Sequence, residues 1–166
     1  ILAAVLGAYT GFLLSALISY PMLNNPVLPA LFLASGTSSG IAATFLFILI
    51  AGKLKGDSHE SHFIHKFEVP IMVTELGLLV CFFVGLYFGG GQKVVALQNA
   101  LSGFWGAVFW IGVFLIGILI PLLANLAVKD NLKYNKNFII LVSIFDLIGV
   151  LCLRYFILYA GQLTVA

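Results

Sequence analysis

Five stretches of this chain, 1–20, 28–51, 67–90, 104–127 and 137–160, each run for 20 residues or more with almost no charge. A bilayer core of about 30 Å is crossed by roughly 20 helical residues, each adding about 1.5 Å. The stretches are apolar on every side rather than along one stripe, as in a helix surrounded by lipid. The alternation that would mark a membrane β-barrel is absent. The expected fold is therefore all-α, a polytopic transmembrane helical bundle with five spans. Its connections are 21–27, 52–66, 91–103 and 128–136.

Composition agrees. Charged residues make up 8% of the chain and hydrophobic residues 62%, against about 25% charged in a soluble domain. The net charge of +2 gives no sign of nucleic-acid binding. Cys81 and Cys152 both fall in apolar runs and are expected to be reduced packing residues inside the membrane. The chain opens on Ile1, already apolar and without a basic flank. It is expected to be a piece of a longer protein rather than to start with a cleaved signal peptide.

Successive connections alternate sides, so 52–66 and 128–136 share a face. They carry Lys53, Lys55, Lys66, Lys129, Lys133 and Lys136, whereas the opposite face carries Lys93 alone. The positive-inside rule makes the Lys-rich face cytoplasmic and puts the C-terminus outside. Pro70 is expected in the first turn of the third span, and Pro121 is expected to kink the fourth.

Ionisable groups inside apolar spans are costly and by default mark function. Glu75 and Asp146 fall near mid-depth, and Arg154 lies about 12 Å nearer the outside than Asp146. The three read either as a polar track able to pass protons or as a structural network holding helices together. Tyr9 is also near mid-depth. The run S-G-T-S-S-G at 35–40, which includes Ser35 and Ser38, fits close helix packing or contact with a small ligand. His59, His62 and His65 sit in a polar connection and read as solvated. No His lies inside a span, which argues against a haem held by paired histidines. No iron–sulfur cysteine pattern is present, so neither haem nor metal is expected in this chain.

Several pieces then resemble one family. They are A-Y-T-G-F-L-L-S-A at 8–16, N-N-P at 24–26, L-F-L-A-S-G at 31–36, Glu75 in the third span, and L-R-Y-F-I-L-Y-A-G-Q at 153–162. Together they look like the NrfD family, the membrane subunits of polysulfide reductase, of the formate-dependent nitrite reductase pathway and of related respiratory complexes. The resemblance implies that the chain is the C-terminal part of a quinone-interacting membrane domain. Its five spans would be one complete four-helix bundle plus the last helix of a preceding one.

The resemblance also implies electron exchange between membrane menaquinone or ubiquinone and an iron–sulfur, ferredoxin-like partner. A catalytic subunit, often a molybdopterin enzyme, would lie beyond that partner, and the setting would be a bacterial or archaeal inner membrane. Tyr9, Asn24, Ser35 and Ser38 become candidate quinone contacts, and Glu75, Asp146 and Arg154 a candidate proton path. Leu23 precedes Asn24 where the family often has Trp. A proton- or ion-coupled transporter and a passive anchor use the same residues differently and stay open at this point.

Overall fold

A computed structural model describes residues 2–50, 59–127 and 136–163, and all of its regular elements are helical. They are α1 (Leu2–Ser15), α2 (Leu28–Ile50), α3 (His59–Phe88), α4 (Gln92–Leu101), α5 (Gly103–Ala107), a π-helical segment (Val108–Leu119), α6 (Ile120–Ala127) and α7 (Lys136–Gly161). Among the described residues, four stretches are long and apolar enough to cross a membrane: Leu28–Ile50, Val69–Phe88, Gly103–Ala124 and Asn137–Gly161. They pack as a four-helix bundle, with α1 lying against α2. The polytopic helical fold expected from the run lengths is the fold observed.

The differences lie at the ends and in the fourth span. The helix of the first apolar stretch ends at Ser15, short of the expected residue 20. Its ladder ends where the Ser15 hydroxyl turns back to the Phe12 carbonyl at 2.9 Å. The chain then steps through short turn bonds from Leu17 to Leu14 and from Tyr20 to Leu17. Pro21 follows, and a residue before proline is poorly suited to a helix. The expected loop at 91–103 instead holds α4, a short helix that buries Ala96 and Ala100. Gly90 and Gly91, with φ of 65° and 51°, make the reversal into it, a backbone state that glycine adopts without steric cost.

Pro70 is internal to α3 rather than in its first turn, because that helix begins at His59. In the fourth span the departure from α geometry is spread over Val108–Leu119 and precedes Pro121. Of the basic and histidine residues singled out in the connections, Lys53, Lys55, Lys129 and Lys133 lie outside the described residues. So do the side chains of His59, His62, His65, Lys66 and Lys136.

The π segment sets how the fourth span meets α7. It brings Gly112 and Gly117, five positions apart, onto one face. A methyl added to Gly112 would lie 3.0 Å from Cys152 Sγ, and one added to Gly117 would lie 2.6 Å from Gly149 Cα. The two backbones therefore touch at Gly117 and Gly149. Cys152 is partly buried at this contact, as a packing residue should be, while Cys81 lies on an exposed face of α3.

The larger core cluster includes Leu31, Phe82, Leu86, Phe109, Leu153 and Phe156, and a smaller one joins Phe45, Leu49 and Ile139. At the end where α2 begins, the turn 21–27 is tied down by side chains. Asn25 is buried; its amide donates to the Phe82 carbonyl at 3.2 Å and its carbonyl accepts the Val27 N–H at 3.0 Å. Asn25→Ala strands both backbone groups, and a lost buried hydrogen-bond partner costs about 1–3 kcal/mol. The expected result is a lower unfolding midpoint for the detergent-extracted protein, with helix content unchanged at low temperature.

Candidate functional site

Three helices each bring a polar residue to the stripe they bury. On α2 the stripe is Leu31, Ser35, Ser38, Ala42, Phe45 and Leu49. On α3 it is Met72, Glu75, Leu79, Phe82 and Leu86, and on α7 it includes Ile139, Val142, Asp146, Val150 and Leu153. The spacing of three and four is that of one helix face. Ser38, Glu75 and Asp146 therefore face inward for the same reason as the leucines beside them.

Their depth follows from position. Ser38 is about ten residues past the start of α2, or roughly 15 Å, near the middle of that span. Glu75 is 5% exposed and Asp146 is 2% exposed, so both carboxylates belong to the core and not to a solvated rim. The Ser38 hydroxyl donates to the Asp146 carboxylate, at 2.9 Å to Oδ1 and 3.1 Å to Oδ2. Glu75 lies within electrostatic reach of Asp146 and of Arg154. Two acids, a hydroxyl and a guanidinium thus form one electrostatic group across α2, α3 and α7. Such a group can hold a proton, or relay one, where lipid and packed side chains exclude bulk water.

Arg154 occupies the edge of this group. Its guanidinium lies over the Phe32 ring, 5.5 Å from the centroid, a favourable placement for a cation. It also lies beside Gly36, where a methyl would make ordinary contact with a terminal guanidinium nitrogen at 3.6 Å. Arg154 Nε is buried and has no hydrogen-bond partner among the described residues. Arg154 also lines a groove of about 300 Å³ with Thr10, Leu13, Leu14, Phe32 and Leu158.

The other residues singled out in the sequence lie elsewhere. Tyr9 is 54% exposed on α1, beside the similarly exposed Leu6, Phe12 and Leu13. Asn24 is in the turn before α2, where its backbone carbonyl accepts Lys93 Nζ at 3.0 Å. Ser35 is buried, with its hydroxyl donated to the Phe32 carbonyl of its own helix at 3.1 Å. Ser38, Glu75, Asp146 and Arg154 come together; Tyr9 and Asn24 do not join them. Asn25, Thr10 and Phe32 fall within the motifs quoted from the sequence but were not among its candidate site residues. Asn25 had a signal, since Asn before Pro favours a side-chain-capped turn. Among the described residues, no group of three or more His, Cys, Asp or Glu side chains is placed to hold a metal ion.

Comparison with known proteins gives this arrangement a setting. The family described as polysulphide reductase, NrfD, matches residues 1–166. A protein NrfD homolog of Haemophilus influenzae is 90% identical over all of this chain and 52% of its own length. Protein NrfD of Escherichia coli K12 is 50% identical over the same shares. The C subunit of polysulfide reductase from Wolinella succinogenes is 42% identical over 98% of this chain and 51% of its own. The chain thus spans about half the length of the curated relatives it matches. No solved structure matches it. A match running from the first residue to the last, on a bundle of apolar membrane-length helices, makes this chain a member of the NrfD family.

Proposed function

We propose that the chain is part of the membrane subunit of a respiratory oxidoreductase. In this reading it exchanges electrons between the quinone pool, menaquinone or ubiquinone, and an iron–sulfur partner subunit. A catalytic subunit, often carrying molybdopterin, lies beyond that partner. The relative named as the C subunit of polysulfide reductase supports membership in a multi-subunit complex. The observation that carries the reading is the family match over residues 1–166, and the Ser38, Glu75, Asp146 and Arg154 group inside an apolar bundle supplies its titratable part.

Oxidation of a quinol releases two electrons and two protons. The electrons pass to the iron–sulfur clusters of the partner, and the protons need titratable groups at membrane depth. Glu75 and Asp146 serve as those groups, Ser38 holds Asp146 in place, and Arg154 offsets their charge. Tyr9, on the outer face of α1, is the proposed quinone contact; Asn24, Ser35 and Ser38, which the sequence also offered for that role, lie apart from it. The setting is the inner membrane, with the Lys-rich connections cytoplasmic and the C-terminus outside. A proton- or ion-coupled transporter would use the same buried acids, but it would move its substrate without the iron–sulfur partner.

The test is quinol-dependent electron transfer by the whole complex in membranes, comparing wild type with Tyr9→Phe, Glu75→Gln and Arg154→Gln. Turnover from an artificial donor to the catalytic subunit reports assembly. The expected outcome is a loss of quinol-coupled turnover of roughly 100-fold for Glu75→Gln, the size of a lost proton-transfer group, with artificial-donor turnover kept. Equal quinol turnover in all four proteins would sink these roles.

A further inference from the structure

We infer that the seam between α3, α4 and the fourth span holds an acyl chain of an anionic phospholipid, with the lipid's phosphate drawn to Lys93. The site is independent of the quinone reading, since none of the residues proposed for that role lines it.

Leu76, Leu79, Val80 and Phe83 form one wall of the seam, at the spacing of a single face of α3. Trp110 and Phe114 of the π segment form the other. Phe83 meets the buried Phe109 edge to face, with ring centroids 4.9 Å apart, and this pair closes the inner side. The cavity between the walls has a volume of about 220 Å³. Val80 and Trp110 are each 54% exposed, so it opens sideways, toward the membrane. Leu97 and Leu101 of α4 cover the end nearer the connection. Leu76 lies about twelve residues before the end of α3, or roughly 18 Å below it. The cavity thus runs along the helices for about the depth of one leaflet, half of a hydrocarbon core of about 30 Å.

The lining decides what fills it. No polar atom faces the cavity, whereas a buried water needs about two to four polar partners. A quinone ring would leave its carbonyls without donors there. An acyl chain needs no polar partner and gains dispersion contact along both walls. The headgroup has its own attraction. Lys93 lies one turn before Leu97 on the same stripe of α4. Its ammonium donates to the Asn24 carbonyl at 3.0 Å, a neutral partner that uses one of its three donors. No Asp or Glu occurs in 21–30, 83–110 or 155–163, the stretches that build this end of the bundle. A lipid phosphate is the counter-charge that the chain does not supply, and a lysine near the membrane surface favours anionic lipid.

The experiment uses the whole complex in nanodiscs of phosphatidylcholine and phosphatidylglycerol. Each lipid in turn carries a photoactivatable diazirine in mid-chain, and labelled peptides are mapped for wild type, Val80→Trp, Lys93→Gln and Lys93→Arg. Artificial-donor turnover reports assembly of each variant. Val80 is on the rim, so tryptophan fills the cavity from its lipid side without crowding the core. Glutamine at 93 keeps a donor for the Asn24 carbonyl. In wild type the expected label falls on peptides containing 76–83 or 109–114. It is about fivefold stronger from phosphatidylglycerol, the attraction of one basic residue for an anionic membrane. Val80→Trp loses this label while other lipid-facing peptides keep theirs. Lys93→Gln brings the two lipids to near parity, and Lys93→Arg keeps the preference. Equal labelling from the two lipids in wild type, an unchanged preference in Lys93→Gln, or label that survives Val80→Trp would overturn the site. Absence of label at these peptides would also overturn it, and a crosslink from Val80→Cys to another protein segment would name protein as the occupant instead.

Discussion

Gly149→Val is expected to prevent α7 from seating on the fourth span, and with it the assembly of the bundle. Gly117 and Gly149 meet backbone to backbone, and a methyl on Gly117 would already lie 2.6 Å from Gly149 Cα. No flexible side chain can move aside to relieve that clash; the helices themselves must part. Overpacking of a core costs about 1–3 kcal/mol and sometimes more, and a backbone obstruction belongs at the upper end. Parting the helices also withdraws Asp146 and Arg154, which α7 carries. The check is the amount of folded subunit in membranes and its unfolding midpoint in detergent. Gly77→Ala is the control, since a methyl there meets nothing within 4 Å, and it should behave as wild type. Equal abundance of Gly149→Val and Gly77→Ala would show that the crossing is looser than described.

Asp146→Asn is expected to separate assembly from function. The amide oxygen still accepts from Ser38, so the link between α2 and α7 survives in weakened form. Interhelical hydrogen bonds in membranes are worth about 0.6–1.7 kcal/mol, too little for their weakening to dissolve the bundle. An amide cannot take up a proton at ordinary pH. If Asp146 serves quinol oxidation as proposed, quinol-coupled turnover falls on the order of 100-fold, while artificial-donor turnover holds. Ser38→Ala keeps the acid but removes a donor from it, and its loss of turnover should be smaller. Adding Ser38→Ala to Asp146→Asn should then cost little more, because the two residues act through one contact. Full quinol turnover in Asp146→Asn would make the acid structural.

The spans were legible because a bilayer imposes a length and an all-round apolarity that few other folds share. The acids were legible for a related reason: Glu75 and Asp146 each interrupt such a run. Their assembly was harder to read. Ser38 and Asp146 are separated by 108 positions, and nothing local distinguishes Ser38 from Ser35 or Ser39. Only the rotation of α2 against α7 makes one a partner of the acid and leaves another bonded to its own helix. The contact between Arg154 and Phe32 has the same origin. α4 was missed because its burial rests on Ala96 and Ala100, too small to stand out as an apolar face. Pro70 was misplaced because α3 starts within a polar segment, where apolarity no longer marks the helix.

The π-helical turns of the fourth span bear on which changes in chain length the bundle tolerates. A wide turn holds one residue more per hydrogen-bonded ring than an α turn. Removing one residue between Gly112 and Gly117 lets the local ladder tighten toward α geometry, and the glycine face toward α7 survives with a spacing of four instead of five. The same deletion in α2 before Ser38 has no wide turn to absorb it. It would swing the Ser38 hydroxyl about 100° around the helix, away from Asp146. A one-residue deletion is therefore expected to be tolerated better in the fourth span than in α2.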